Sequence, residues 1–126
     1  MGTASVRYLV DDVEAAVAFY TGLLGFEVRM HPPGAGFAAL ERDGLRLLLN
    51  APGAGGAGQA TPRGVPEPGG WNRFQLEVAD LDAADRDLSD RGATFDGDIV
   101  TGRGGRQILL LDPAGNLVEL FEAPKS

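Results

Sequence analysis

At 126 residues the chain has the length of one domain and can bury a core of its own. A formal net charge of -7 supplies no positive field to gather phosphate backbones or anionic lipid, so neither nucleic acid nor a membrane surface is an expected partner. With no cysteine, disulfides and thiolate metal sites are excluded, and no apolar run approaches the roughly 20 residues of a membrane span, so the expected setting is cytoplasmic.

The first half opens with an alternating strand, Ser5 to Val10, that runs into Asp12. An aspartate there can cap a helix because its carboxylate accepts orphan backbone N–H groups. Val13, Ala16, Val17, Tyr20 and Leu24 recur at helical spacing, and Gly25 supplies the stop. Strands are predicted over Phe26 to His31, Gly36 to Arg42 and Leu45 to Asn50, with Asp43-Gly44 as the hairpin turn between the last two.

Residues 51–70 are rich in glycine and proline and offer little to bury, which reads as a linker or mobile loop. The second half then predicts a strand from Asn72 to Val78, a helix capped by Asp80 and stopped at Gly92, and strands over Phe95 to Val100, Arg106 to Leu111 and Leu117 to Phe121. Both halves read β-α-β-β-β. Val10, Asp12, Val13, Glu14, Ala15 and Ala16 return 68 residues later as Val78, Asp80, Leu81, Asp82, Ala83 and Ala84, and the turn glycines Gly44 and Gly115 lie 71 apart. The chain is therefore expected to be an internal repeat within one α+β domain, with modules over 1–50 and 71–126.

Strand parity assigns the two faces of each sheet, since successive side chains point opposite ways. Val6, Tyr8 and Val10, Leu45, Leu47 and Leu49, Phe74, Leu76 and Val78, and Val118 and Leu120 should meet the helices. Ser5, Arg7 and Leu9, Arg46 and Leu48, Arg73, Gln75 and Glu77, and Leu117, Glu119 and Phe121 fall on the opposite faces. If the sheets curl so that these faces enclose a cleft, Ser5, Leu48, Arg73 and Glu119 line it as repeat-related pairs.

Two stretches also carry a family resemblance: Val10-x-Asp12-Val13 followed by Ala18-Phe19-Tyr20 and Leu24-Gly25-Phe26, and Asp112-Pro113-Ala114-Gly115-Asn116 followed by Val118-Glu119-Leu120. They resemble the opening and closing signatures of the vicinal oxygen chelate superfamily, which includes glyoxalase I, extradiol dioxygenases, fosfomycin-modifying enzymes and bleomycin resistance proteins. The resemblance spans about Val6 to Glu122 and implies paired β-α-β-β-β modules around a curved cleft, often completed in a homodimer.

In metal-dependent members of that superfamily a divalent ion is held by His, Gln or Glu at four cleft positions, which correspond here to Ser5, Leu48, Arg73 and Glu119. Only Glu119 is a suitable ligand, because a leucine offers no donor and a guanidinium repels a cation. No metal cofactor is therefore expected. Arg73 is instead expected to pair with Glu119 through both carboxylate oxygens. Two roles stay open for that pair: a structural ion pair, or a group in which Arg73, Arg7 and Gln75 orient the oxygen of a small-molecule ligand.

The resemblance places Leu109 toward the same cleft, and parity adds Gln107, which can contact ligand or bond a strand edge. Trp71, at the junction with the second half, can cap the core or stack on a planar ligand. His31 stands at a strand end before Pro32-Pro33, away from the repeat-defined positions, and reads as a rim residue. Gly102-Arg103-Gly104-Gly105-Arg106 reads as a solvated hairpin or as an anion clamp. The functional expectation is a binding protein for a hydrophobic or aromatic small molecule, of the bleomycin resistance type. The alternative is a glyoxalase- or dioxygenase-like enzyme acting on a small carbonyl or phenolic substrate, with Glu119 as base.

Overall fold

The computed structural model describes residues 3–125. The chain divides into two compact units, with the boundary between Gly69 and Gly70. In the first unit the order is β1 (Ser5–Leu9), α1 (Val13–Leu24), β2 (Glu27–Met30), β3 (Phe37–Arg42) and β4 (Leu45–Asn50). The four strands form one mixed sheet in the order β1-β4-β3-β2, with β1 parallel to β4. The second unit runs β5 (Phe74–Glu77), α2 (Leu81–Asp90), β6 (Thr94–Phe95), β7 (Val100–Gly102), β8 (Gly105–Leu111) and β9 (Leu117–Glu122). Its sheet has the order β5-β9-β8-β6, with β7 also on β8 and β5 parallel to β9. Among the described residues no helix is long and apolar enough to cross a membrane.

Each helix starts and stops for local reasons. Asp12 and Asp80 lie in extended conformation and accept the N–H groups of Ala15 and Ala83 at 3.1 and 3.0 Å. These bonds satisfy donors that the first helical turn leaves orphaned. Gly25, at φ 72°, ends α1 in the left-handed region, and the Phe26 N–H turns back to the Tyr20 carbonyl at 3.0 Å. In α2 the left-handed residue is Gly92, and the N–H groups of Gly92 and Ala93 return to the carbonyls of Ser89 and Leu88. That double closure is a Schellman stop.

The helix-facing rows form the core. Tyr8, Leu47, Leu49, Leu40 and Ala38 are buried with Val13, Ala16, Tyr20 and Leu24 of α1, where Tyr20 meets Phe26 edge to face at 5.6 Å. In the second unit Leu76, Ile108, Leu110, Val118 and Leu120 are buried with Leu81 and Leu88 of α2. Each large aliphatic side chain so buried contributes about 1.5–3 kcal/mol.

The structure departs from the sequence reading in two places. The single strand expected over Phe95 to Val100 is two short strands. Phe95 lies opposite Leu110 and Val100 opposite Gln107, so five steps on one side face three on the other. Gly97, at φ 90°, turns the chain out between them and absorbs the excess. Residues 51–64, expected to offer little structure, carry their own hydrogen bonds: Gly53 N–H to Gly58 O at 2.7 Å, Gly58 N–H to Ala54 O at 3.0 Å, and Gln59 Nε2 to the carbonyls of Gly53 and Gly55. Gly58 is buried, and a Cβ there would stand 2.5 Å from the Ala54 nitrogen. Its glycine therefore serves close backbone approach rather than looseness.

Candidate functional site

On the face of the second sheet away from α2, register aligns Gln75 with Glu119 and Glu119 with Leu109, and beside them Phe121 with Gln107. Arg73 precedes β5 by one residue and shares the parity of Gln75. The tight turn that sends β9 back along β8 is set by Asp112. Its carboxylate accepts the backbone N–H groups of Ala114 and Asn116 and the Asn116 side-chain amide, all within 3.0 Å. Such local bonds let a buried aspartate fix a turn, and the turn fixes where Glu119 falls.

Glu119 is 8% exposed, so its carboxylate requires partners. Arg73 Nε donates to Oε1 at 3.1 Å, and Gln75 Nε2 donates to Oε2 at 2.6 Å. The arginine was expected to hold both oxygens; it holds one. The reason is register, since Gln75 lies directly across the parallel ladder from Glu119 while Arg73 reaches in from two residues earlier. Arg73 Nη1 also donates to the Trp71 carbonyl at 3.3 Å, which ties the Trp71 backbone to the edge of this cluster. The Trp71 residue itself is 76% exposed. It caps no core.

On the corresponding face of the first sheet, Arg7 lies opposite Leu48 and Ser5 opposite Arg46. Ser5 is exposed and Leu48 half-buried. Arg7 Nη1 donates to Asn50 Oδ1 at 3.0 Å, and Asn50 is buried. Asn50 was not singled out from sequence, although its parity with Leu48 at the end of an apolar strand was the available signal.

The remaining candidates have structural partners. His31 Nε2 lies 2.9 Å from Glu14 Oε1 and joins the end of β2 to α1. The Arg103-Gly104 stretch forms the tight connection between β7 and β8, where Gly102 pairs with Gly105. Arg106 is committed to a bidentate contact with Asp82, at 2.9 and 3.1 Å, with Glu122 3.7 Å away. Glu122 in turn accepts the Leu81 N–H at 2.8 Å, at the start of α2. The Arg106 hydrogen bond holds Asp82 below the ordinary aspartate range, and the same contact raises Arg106. This network anchors the start of α2 to the sheet, and its arginine is not an anion clamp.

A model of the glyoxalase/bleomycin resistance protein/dioxygenase superfamily matches residues 2–120. The chain belongs to that superfamily. Solved members similar to it include a glyoxalase/bleomycin resistance protein/dioxygenase from Nocardioides, at 26% identity and TM-score 0.77 over 100% of this chain and 85% of that one. A superfamily member from Sphaerobacter thermophilus DSM 20745 is 28% identical, with TM-score 0.76 over 97% of each chain. TnmS3, an antibiotic binding protein from Streptomyces sp. CB03234, is 26% identical, with TM-score 0.72 over 98% of this chain and 97% of that one. No curated protein matches the sequence.

At the positions that the resemblance matched to metal ligands, the side chains form a poor donor set for a divalent ion. Leu48 has no donor atom, Arg73 is a cation, and both oxygens of Glu119 are engaged by N–H donors. Among the described residues no group of three or more His, Cys, Asp or Glu side chains is placed to hold a metal.

Proposed function

We propose that this protein binds a small hydrophobic or aromatic organic molecule without a catalytic metal, on the second-sheet face that carries Arg73, Gln75 and Glu119. The observation that carries the proposal is the occupation of the Glu119 carboxylate by a guanidinium and an amide. Fixed N–H donors at that carboxylate support an organic ligand over a divalent ion. Two of the five guanidinium N–H donors are used in the contacts to Glu119 and Trp71, so the rest of the planar group can meet a ligand carbonyl, carboxylate or phenolate oxygen. Leu109 and Phe121 supply apolar surface beside these donors, and the exposed Trp71 ring offers a stacking surface. TnmS3, an antibiotic binding protein 26% identical to this chain, supports a binding role. A lyase or dioxygenase role with Glu119 as base would use a carboxylate that already accepts one hydrogen bond on each oxygen.

A thermal-shift screen of planar aromatic natural products, run with and without added divalent metal, tests the proposal. Ligand that binds the native state raises apparent stability by mass action. The expected result is a stabilising compound whose effect is independent of metal and is lost in Arg73→Ala. Stabilisation only in the presence of a divalent ion would overturn it.

A further inference from the structure

The first unit contains a cavity of about 400 Å³ that the sheet-face site does not use. Its floor is Leu9 at the end of β1, and its wall is the segment carrying Thr61, Arg63, Val65, Pro66 and Glu67. The volume lies within the ordinary range of small-ligand sites, about 300–1,000 Å³.

The wall is built to hold its shape. Thr61 and Gly64 exchange backbone hydrogen bonds, each of 2.9 Å, around Pro62-Arg63, and the Thr61 hydroxyl oxygen accepts the Arg63 N–H at 3.1 Å. Pro62 fixes its own φ, so the turn loses little further freedom when a ligand arrives. Arg63 projects from this closed turn, and among the described residues its guanidinium makes no ion pair. Val65 is 65% exposed, and Pro66 and Leu9 add apolar surface. One cation, an apolar floor and wall, and a single carboxylate from Glu67 describe a particular kind of guest. Glu67 adds one carboxylate to the lining, which disfavours a guest with more than one negative charge.

We infer that the cavity between Leu9 and the 61–67 segment is a binding site for a small aromatic monoanion, its carboxylate or sulfonate held by Arg63 and its ring against Leu9, Val65 and Pro66. This site is built from residues of the first unit alone and goes beyond the function proposed for the Arg73–Glu119 face.

The test is a fluorescence titration with 1-anilinonaphthalene-8-sulfonate and with its neutral analogue N-phenyl-1-naphthylamine, on the native protein, Arg63→Gln and Arg73→Gln. Arg63 is on an exposed turn, and circular dichroism checks that its variant keeps the fold. Loss of a charge-assisted contact should weaken sulfonate binding at least about tenfold in Arg63→Gln. The neutral analogue should be little changed, and Arg73→Gln, which alters the other proposed ligand face, should leave the Arg63-dependent component of sulfonate binding in place. Equal sulfonate binding by native protein and Arg63→Gln would overturn the inference, as would loss in Arg73→Gln alone, which would assign the probe to the sheet face and leave the function proposed there intact.

Discussion

Arg7 and Asn50 in the first unit occupy the repeat positions held by Gln75 and Phe121 in the second, and Ser5 and Leu48 the positions held by Arg73 and Glu119. In the first unit the polar contact is one arginine on a buried amide, two residues along β4 from the position equivalent to Glu119. In the second, an arginine and an amide converge on a buried carboxylate. Two copies of one backbone thus carry different polar devices, and in both the buried acceptor finds a donor on the neighbouring parallel strand. The repeat preserves the ladder and the helix caps, while the side chains on the free face diverge. A charged pair in one unit and a neutral acceptor in the other marks the second face as the more specialised chemical surface.

The largest expected effect addresses what the units share. Leu49 and Leu120 are equivalent and both buried, and truncation of either to alanine should cost about 2–5 kcal/mol in denaturant unfolding. A loss below about 1 kcal/mol for one of them would mean that its core is not packed as described.

A smaller effect should separate the units. Arg73→Ala leaves the nearly buried Glu119 with Gln75 as its remaining side-chain partner and should cost about 1–2 kcal/mol, discounted because the Arg73 side chain is 27% exposed. Arg7→Ala removes a donor from a neutral amide and should cost about 1 kcal/mol or less. Equal losses in chemical denaturation would erase the difference between the two faces.

The smallest effect is in the pH dependence of the second unit. Asp82 is held below its ordinary value by Arg106, so its contribution to stability is present above the unfolded-state value and is lost as the pH falls through the lowered folded value. Asp82→Asn should flatten the acid limb of the stability curve and leave neutral and alkaline behaviour unaltered in slope. An unchanged acid limb, followed by thermal melts across pH, would remove Asp82 from that role.

Much of this was legible in the sequence because it depends on period and spacing. Parity put Arg73 and Glu119 on one face, and the repeated aspartates located both helix starts. The split of the strand after Phe95 was not legible, because Gly97 breaks the ladder only in combination with a pairing offset on β8. Nor was the Asp82–Arg106–Glu122 network, whose members lie up to 40 residues apart and meet only through the sheet order. The turns of residues 51–64 were hidden by composition: glycine signals freedom in an unfolded chain, yet Gly58 is needed for a close packing of backbone on backbone.

The most direct test of the central claim, that Arg73 and Gln75 occupy Glu119 in place of a metal, is elemental analysis of protein purified without chelator, incubated with zinc, manganese and nickel and then desalted. The expected result is no stoichiometric retention of any divalent ion by the native protein. One tightly held divalent ion per chain, lost in Glu119→Gln, would contradict it.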